Sequence, residues 1–282
     1  MTTLTTTVAG PPTRSRVAVH PLTFRRLVAA EWIKLRSLRS TWWTLGVGVV
    51  LGVAFAGMQS ASISALAREY PDPERVGSVY ATAGIPLAML AFCTFGVLTI
   101  SGEYGTGQIR STLAAAPTRV PALLAKLLVT VLAVLAASVV MVAAGWAVAA
   151  PSLAHGRMPV DLGDPDDLRI MLGVPLFLAT AAALAFAIGA LVRSSAAGIT
   201  VVLGLMLVVE NGLGMIPWQP LQAATAYLPT SAGARLVTHD HLGSVITGIT
   251  SDLPPWTGYG VMLAWALGAL AVAAVLLRRR DA

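Results

Sequence analysis

Residues 126–157 read KLLVTVLAVLAASVVMVAAGWAVAAPSLAHGR, with Lys126 and Arg157 at the ends and no charge on the 30 residues between them. A helix rises 1.5 Å per residue, so about 20 residues cross a hydrocarbon core of about 30 Å. Ala, Leu and Val fill the run without the alternation of a barrel strand, which leaves a spanning helix. Similar gaps recur outward from it. Residues 40–67, 76–102, 170–192 and 253–277 carry no charge, and 196–216 carries only Glu210. Six spans are therefore expected, over about 42–62, 79–101, 122–150, 170–192, 196–216 and 257–277.

Composition agrees. Charged residues make up 11% of the 282 and apolar ones 56%, with a mean hydropathy of +0.76. A soluble domain carries about 25% charged residues, so a soluble enzyme and a disordered protein are excluded. Cys93 is the single cysteine, which excludes a disulfide-stapled secreted domain. The expected fold class is all-α, a polytopic membrane protein.

Six spans put both termini on one side, and the positive-inside rule says which. Of the 19 Lys and Arg, 14 fall on the side of the termini and 5 on the other; the acids divide as 3 and 9, with Glu210 inside a span. Both termini are expected in the cytoplasm. The basic surplus forms a belt suited to anionic lipid headgroups rather than to nucleic acid. Trp42 and Trp43 at the first span, and Trp218 and Trp256 around the last external loop, fit the interface. Gly48 and Gly52 form a GxxxG pair that permits close helix approach.

Residues 1–21, rich in Thr, Pro and small residues, read as a disordered cytoplasmic tail. Residues 22–41 read as an amphipathic helix: Phe24, Leu27, Val28, Trp32, Leu35 and Leu38 fall within about 140° of arc. Arg25, Arg26, Lys34 and Arg36 lie opposite, with Ile33 and Arg39 as exceptions. Charges from Glu31 onward leave no apolar core for a cleaved signal. Glu31 lies inside the apolar arc, with Lys34 one turn away as its expected partner. Such a helix lies on the inner leaflet, as an anchor alone or as one that also touches a cytoplasmic partner.

Residues 102–119, GEYGTGQIRSTLAAAPTR, join the second and third spans. Gly102 and Gly107 have the spacing of a phosphate-binding loop, but Gln108 and Ile109 stand where Lys and Ser/Thr are needed, so no nucleotide is held. Instead the glycines permit a turn, Gln108–Ala115 favours a short helix and Pro117 stops it. Ile109 and Leu113 share one face, with Arg110 nearby. A short helix with apolar and basic contacts suits docking into a partner's groove.

Two segments together carry a specific resemblance. Glu31-Trp32-Ile33-Lys34-Leu35-Arg36-Ser37-Leu38-Arg39-Ser40-Thr41-Trp42-Trp43 precedes the first span. Glu103-Tyr104, Gly107, Ile109-Arg110-Ser111-Thr112-Leu113, Pro117-Thr118-Arg119 and Lys126 follow the second. The chain from about residue 22 resembles actinobacterial ABC transporter permeases of the type-2 exporter class. That resemblance implies that residues 22–41 are a connecting helix and that residues 108–115 are a coupling helix gripped by a separate ATP-binding cassette subunit. It also implies that Glu31, Glu103, Tyr104, Ile109, Arg110 and Leu113 contact or brace that ATPase. Short re-entrant helices over 217–256, a paired or homodimeric permease, surrounding membrane lipids and a bacterial plasma-membrane location follow in the same way.

Other features are plainer. Glu210 either serves a pathway or dimer interface, or snorkels to the outer interface. Pro86 and Pro175 are expected inside spans two and four, kinking them. His239-Asp240-His241 lacks a third ligand for a metal, and Asp161 to Asp167 reads as an acidic external turn. No catalytic pair, metal motif or cofactor fingerprint appears. The reading is therefore a permease subunit, not itself an enzyme and without a cofactor, that exports an unidentified lipophilic substrate. A non-transporting immunity or assembly factor and an ion-coupled carrier are the alternatives; the carrier needs several embedded acids or matched half-helices.

Overall fold

The computed structural model describes residues 23–69, 76–108, 119–239 and 253–279. The tail 1–21 and the expected helix 108–115, apart from Gln108, lie outside the described residues. Among the described residues the chain is helical and has no strand. Six helices are long and apolar enough to cross a membrane.

The first helix, α1 (Phe24–Ser37), ends at Leu38, whose extended backbone breaks the run before α2 (Arg39–Glu69) begins. The expected helix 22–41 thus ends earlier than the pattern implied, and Arg39 belongs to the first spanning helix. Trp42 fastens the corner by donating its indole N–H to the Arg36 carbonyl at 3.2 Å.

A second correction concerns the start of span two. A short buried helix, α3 (Gly77–Ala81), is followed by a turn, and α4 (Ile85–Gly105) starts only after Gly84. Pro86 therefore lies in the first turn of α4, not inside the span. There its missing N–H costs nothing, because first-turn N–H groups have no partner within the helix. Gly84 is required by close approach: a Cβ there would come within 1.9 Å of the Gly52 carbonyl oxygen on α2. Gly48 and Gly52 meet Phe92 and Met141 of neighbouring spans, so the GxxxG pair packs within the chain.

The third span, α5 (Arg119–His155), is 37 residues long, and α6 (Pro165–Val192) is the fourth. Asp164 caps α6 by accepting from the Asp166 N–H, with Pro165 in the first turn, a favourable helix start. Asp167, expected in a solvated turn, is buried and accepts from the Ser78 hydroxyl and the Asp161 N–H. It pins α3 to α6. Pro175 does lie inside α6.

The apolar stretch of α6 is 83% buried, against 17% for α2 and 22% for each of the last two spans. The fourth span is therefore the central post, with α4, α5 and the last helix packed around it. Phe92, Phe177, Phe186, Met206 and Met262 are among the largest side chains fully buried there.

The fifth span is composite. The helix α7 (Ser195–Leu203) passes into a π-helical turn (Gly204–Val209) and then α8 (Glu210–Gly214). Beyond it lie two short helices, α9 (Gln219–Thr225) and α10 (Pro229–Ala234), and a 3-10 turn (Arg235–Val237). All six residues of α10 are buried, against α6 and the last span, α11 (Pro255–Arg279).

Replacing Gly84 by Val drives a side chain into the α2 backbone. Overpacking costs about 1–3 kcal/mol or more. Thermal unfolding of the detergent-purified protein should show a lower midpoint for Gly84→Val, while Gly46→Ala, with open space around it, should stay near the parent.

Candidate functional site

The side chains expected to serve coupling fall at the end of the bundle where α1, the last turn of α4 and the first turns of α5 meet. On α1, Glu31 and Leu35 are buried and face α5. The polar residue at the centre of the apolar arc is thus at the packing surface itself. Its counter-charge comes from Lys126, 6% exposed on α5.

Four charges close into a ring. Lys126 Nζ donates to Glu31 Oε2 at 2.7 Å and to Glu103 Oε1 at 2.8 Å. Lys34 Nζ donates to Glu31 Oε1 at 2.7 Å and to the same Glu103 Oε1 at 3.1 Å. Signs alternate around the ring and sum to zero. Burying ions is costly, and the cost is offset only when every charge has its partner. Burial alone would raise the Glu31 carboxyl, but Lys126 and Lys34 outweigh it and hold the group below the usual carboxylate range. Burial likewise opposes the Lys34 charge, yet Glu31 and Glu103 hold it above the usual range. A lowered acid loses its contribution only as pH falls through its folded value, and a raised amine only as pH rises through its own. Glu31 and Lys34 therefore stay charged across the neutral range.

Neighbouring contacts stiffen the same end. Tyr104 is half-buried, with the Arg193 guanidinium 5.3 Å from its ring centroid. Arg193 makes the corner between α6 and α7 in a left-handed conformation, φ 59°. Ser101 and Ser195 share a hydrogen bond of 2.9 Å. Arg119 Nη1 donates to the Leu277 carbonyl at 3.1 Å, tying α5 to the last turns of α11.

Of the residues expected to serve coupling, the structure brings Glu31 and Glu103 together and places Tyr104 beside them. Ile109, Arg110 and Leu113 lie outside the described residues. Lys126 was read from sequence as a boundary charge. Its position several residues inside an apolar helix was the available signal for a buried partner.

Glu210 lies at the other end. It is fully buried and does not snorkel. Its carboxylate accepts from Thr230 N–H at 3.0 Å, Ser231 N–H at 2.7 Å and the Ser231 hydroxyl at 2.8 Å. These are first-turn groups of α10, which any helix leaves unsatisfied. Arg169, which the sequence reading left without a role, serves the opposite end. It donates to the carbonyls of Arg235, Leu236 and Thr238 at 3.1, 3.0 and 3.2 Å. Acid at the start and base at the end suit the helix dipole. Asp240 and His241 lie outside the described residues, while His239 is 4.0 Å from Asp166. Among the described residues no cluster of three metal-ligating side chains occurs.

Two outcomes follow from these geometries. Lys126→Met should cost about 3–5 kcal/mol, because both buried carboxylates lose a counter-ion. Adding Glu31→Gln should recover part of that loss, read as coupling in a double-mutant unfolding cycle. Glu210→Ala strands three buried donors and should cost about 1–3 kcal/mol. Limited proteolysis should show that second loss as faster cleavage after Thr238 relative to the parent.

Residues 56–277, from the middle of α2 to near the end of α11, match the family described as ABC-2 family transporter protein. No curated protein matches the chain. With most of its length, and all of the helices from α3 to α10, inside that match, the chain belongs to the ABC-2 family of transporter proteins.

Proposed function

We propose that this chain is the membrane subunit of an ATP-driven exporter and couples ATP hydrolysis on a separate cassette subunit to efflux of a lipophilic substrate. Family membership supports a permease component of an ABC transporter that pairs with an ATP-binding cassette ATPase. The observation that carries the coupling role is the closed ring of Glu31, Lys34, Glu103 and Lys126. The chain leaves α4 at Gly105, two residues after Glu103, and enters α5 at Arg119, seven residues before Lys126. A push on the segment between them therefore acts on helices already locked to α1 and, through Arg119 and Arg193, to the later spans. Coupling needs such a rigid element with two discrete positions.

In this reading Ile109, Arg110 and Leu113 contact the ATPase, while Glu31, Glu103 and Tyr104 brace the surface behind them. Both termini lie in the cytoplasm of a bacterial plasma membrane, as the 14 basic residues on that side support. Two copies pair to form the pathway, and the chain performs no covalent chemistry of its own. The carrier alternative loses its acid, because Glu210 is satisfied by Thr230 and Ser231.

The test is co-expression with a candidate ATP-binding cassette subunit, followed by ATP turnover in proteoliposomes. Arg110→Glu and Leu113→Asp should each lower turnover and efflux of a lipophilic fluorescent dye severalfold while leaving the thermal midpoint near the parent. A chain that, co-expressed with the ATPase, fails to hold it, or turnover untouched by both changes, overturns the proposal in favour of a non-transporting membrane protein.

A further inference from the structure

A cleft of about 460 Å³ opens beside the charge ring, between α1, the start of α2, the end of α4 and α5. Its lining is mixed. Glu103, Lys34 and Thr130 are among its polar residues, and Leu35, Phe95 and Leu98 among its apolar ones. Glu103 is 6% exposed and uses Oε1 for both lysines. Its other oxygen, Oε2, is buried and accepts no hydrogen bond. Buried carboxylate oxygens without a donor are rare, and a missing ligand is one recognised reason for them.

The geometry points to a binding site for an amphiphile whose head carries a primary ammonium and whose tail is an alkyl chain. The N–H donors complete Glu103 Oε2 while the chain lies along Phe95 and Leu98. A bare metal ion would leave the apolar wall unused, and an anion would face the free carboxylate oxygen. A quaternary ammonium has no N–H to give. The abundant source of this chemistry is an ethanolamine phospholipid in the leaflet that holds α1, the inner one in the orientation proposed above. A hydrogen bond to a buried charge distinguishes donor from non-donor by about tenfold or more.

The site is read on the intact chain without any ATPase, so its failure is separate from failure of the exporter reading. Short-chain phosphatidylethanolamine, the matched phosphatidylcholine and dodecylammonium are titrated against the detergent-purified protein, with thermal midpoint and native mass spectrometry as readouts. The ethanolamine lipid should bind at least about tenfold tighter than the choline lipid. Glu103→Gln, which replaces the free acceptor with a donor, should abolish that preference. Leu98→Trp, which fills the apolar part and leaves the ring intact, should weaken the ethanolamine lipid in a protein that still folds. Dodecylammonium binding as tightly as the lipid assigns the site to a transported amine; weaker binding assigns it to a resident lipid. Equal affinity for the two phospholipids, a preference that survives Glu103→Gln, or an ethanolamine-lipid affinity untouched by Leu98→Trp overturns the inference.

Discussion

Lys126 is the residue on which one whole end of this bundle depends. It belongs to the third span and reaches an acid on the amphipathic helix before the first span and another at the end of the second. No two of those three segments could keep their charged groups buried without the third. The ring is thus a condition on assembly: the amphipathic helix docks only on a correctly formed hairpin of spans two and three, and that hairpin buries its charges only when the helix docks. Ion pairs of this kind add little net stability, but they penalise wrong arrangements heavily.

The opposite end follows the same physics with fewer ions. A helix of one and a half turns, α10, has no length to stabilise itself, yet every residue in it is buried. Glu210 takes its free N–H groups and Arg169 takes the carbonyls just beyond it. The two residues come from different spans, so the cap at this end is fixed by side chains delivered from the bundle and not by its own sequence. Gly233 completes the fit, because a Cβ there would meet the Met262 sulfur at 2.2 Å.

The spans were legible because charge is so costly in hydrocarbon that its absence over 23 residues or more has few other meanings. Glu31 was legible as an anomaly in an apolar arc, but its main partner was not, since 95 residues separate it from Lys126. Lys34 was assigned to the polar face by helical angle, and a long flexible stem carries its ammonium into the ring regardless. The delayed start of α4 was hidden because residues 76–102 carry no charge; only Pro86 and the contact of Gly84 with another helix mark the break. Glu210 reads from local context as a pathway, interface or snorkelling acid and Asp167 as part of an external turn, while Arg169 has no role there. Each has a partner among backbone or hydroxyl groups 20 to 89 residues away, and no periodicity in the sequence reports such pairs.

The π-helical turn at Gly204–Val209 sets the angular phase of everything after it. Such a turn accommodates one residue more than an α-helical turn, which is a rotation of about 100° for all later side chains. Met206, buried within it and 3.8 Å from the Cys93 sulfur, fixes the first half of the span to α4. Glu210 begins the second half. Removing the surplus residue would leave a more regular helix whose carboxylate swings away from Ser231 and toward lipid. The irregularity is what lets a single span be exposed along Val201 and Val208 and still deliver an acid to the interior two residues later.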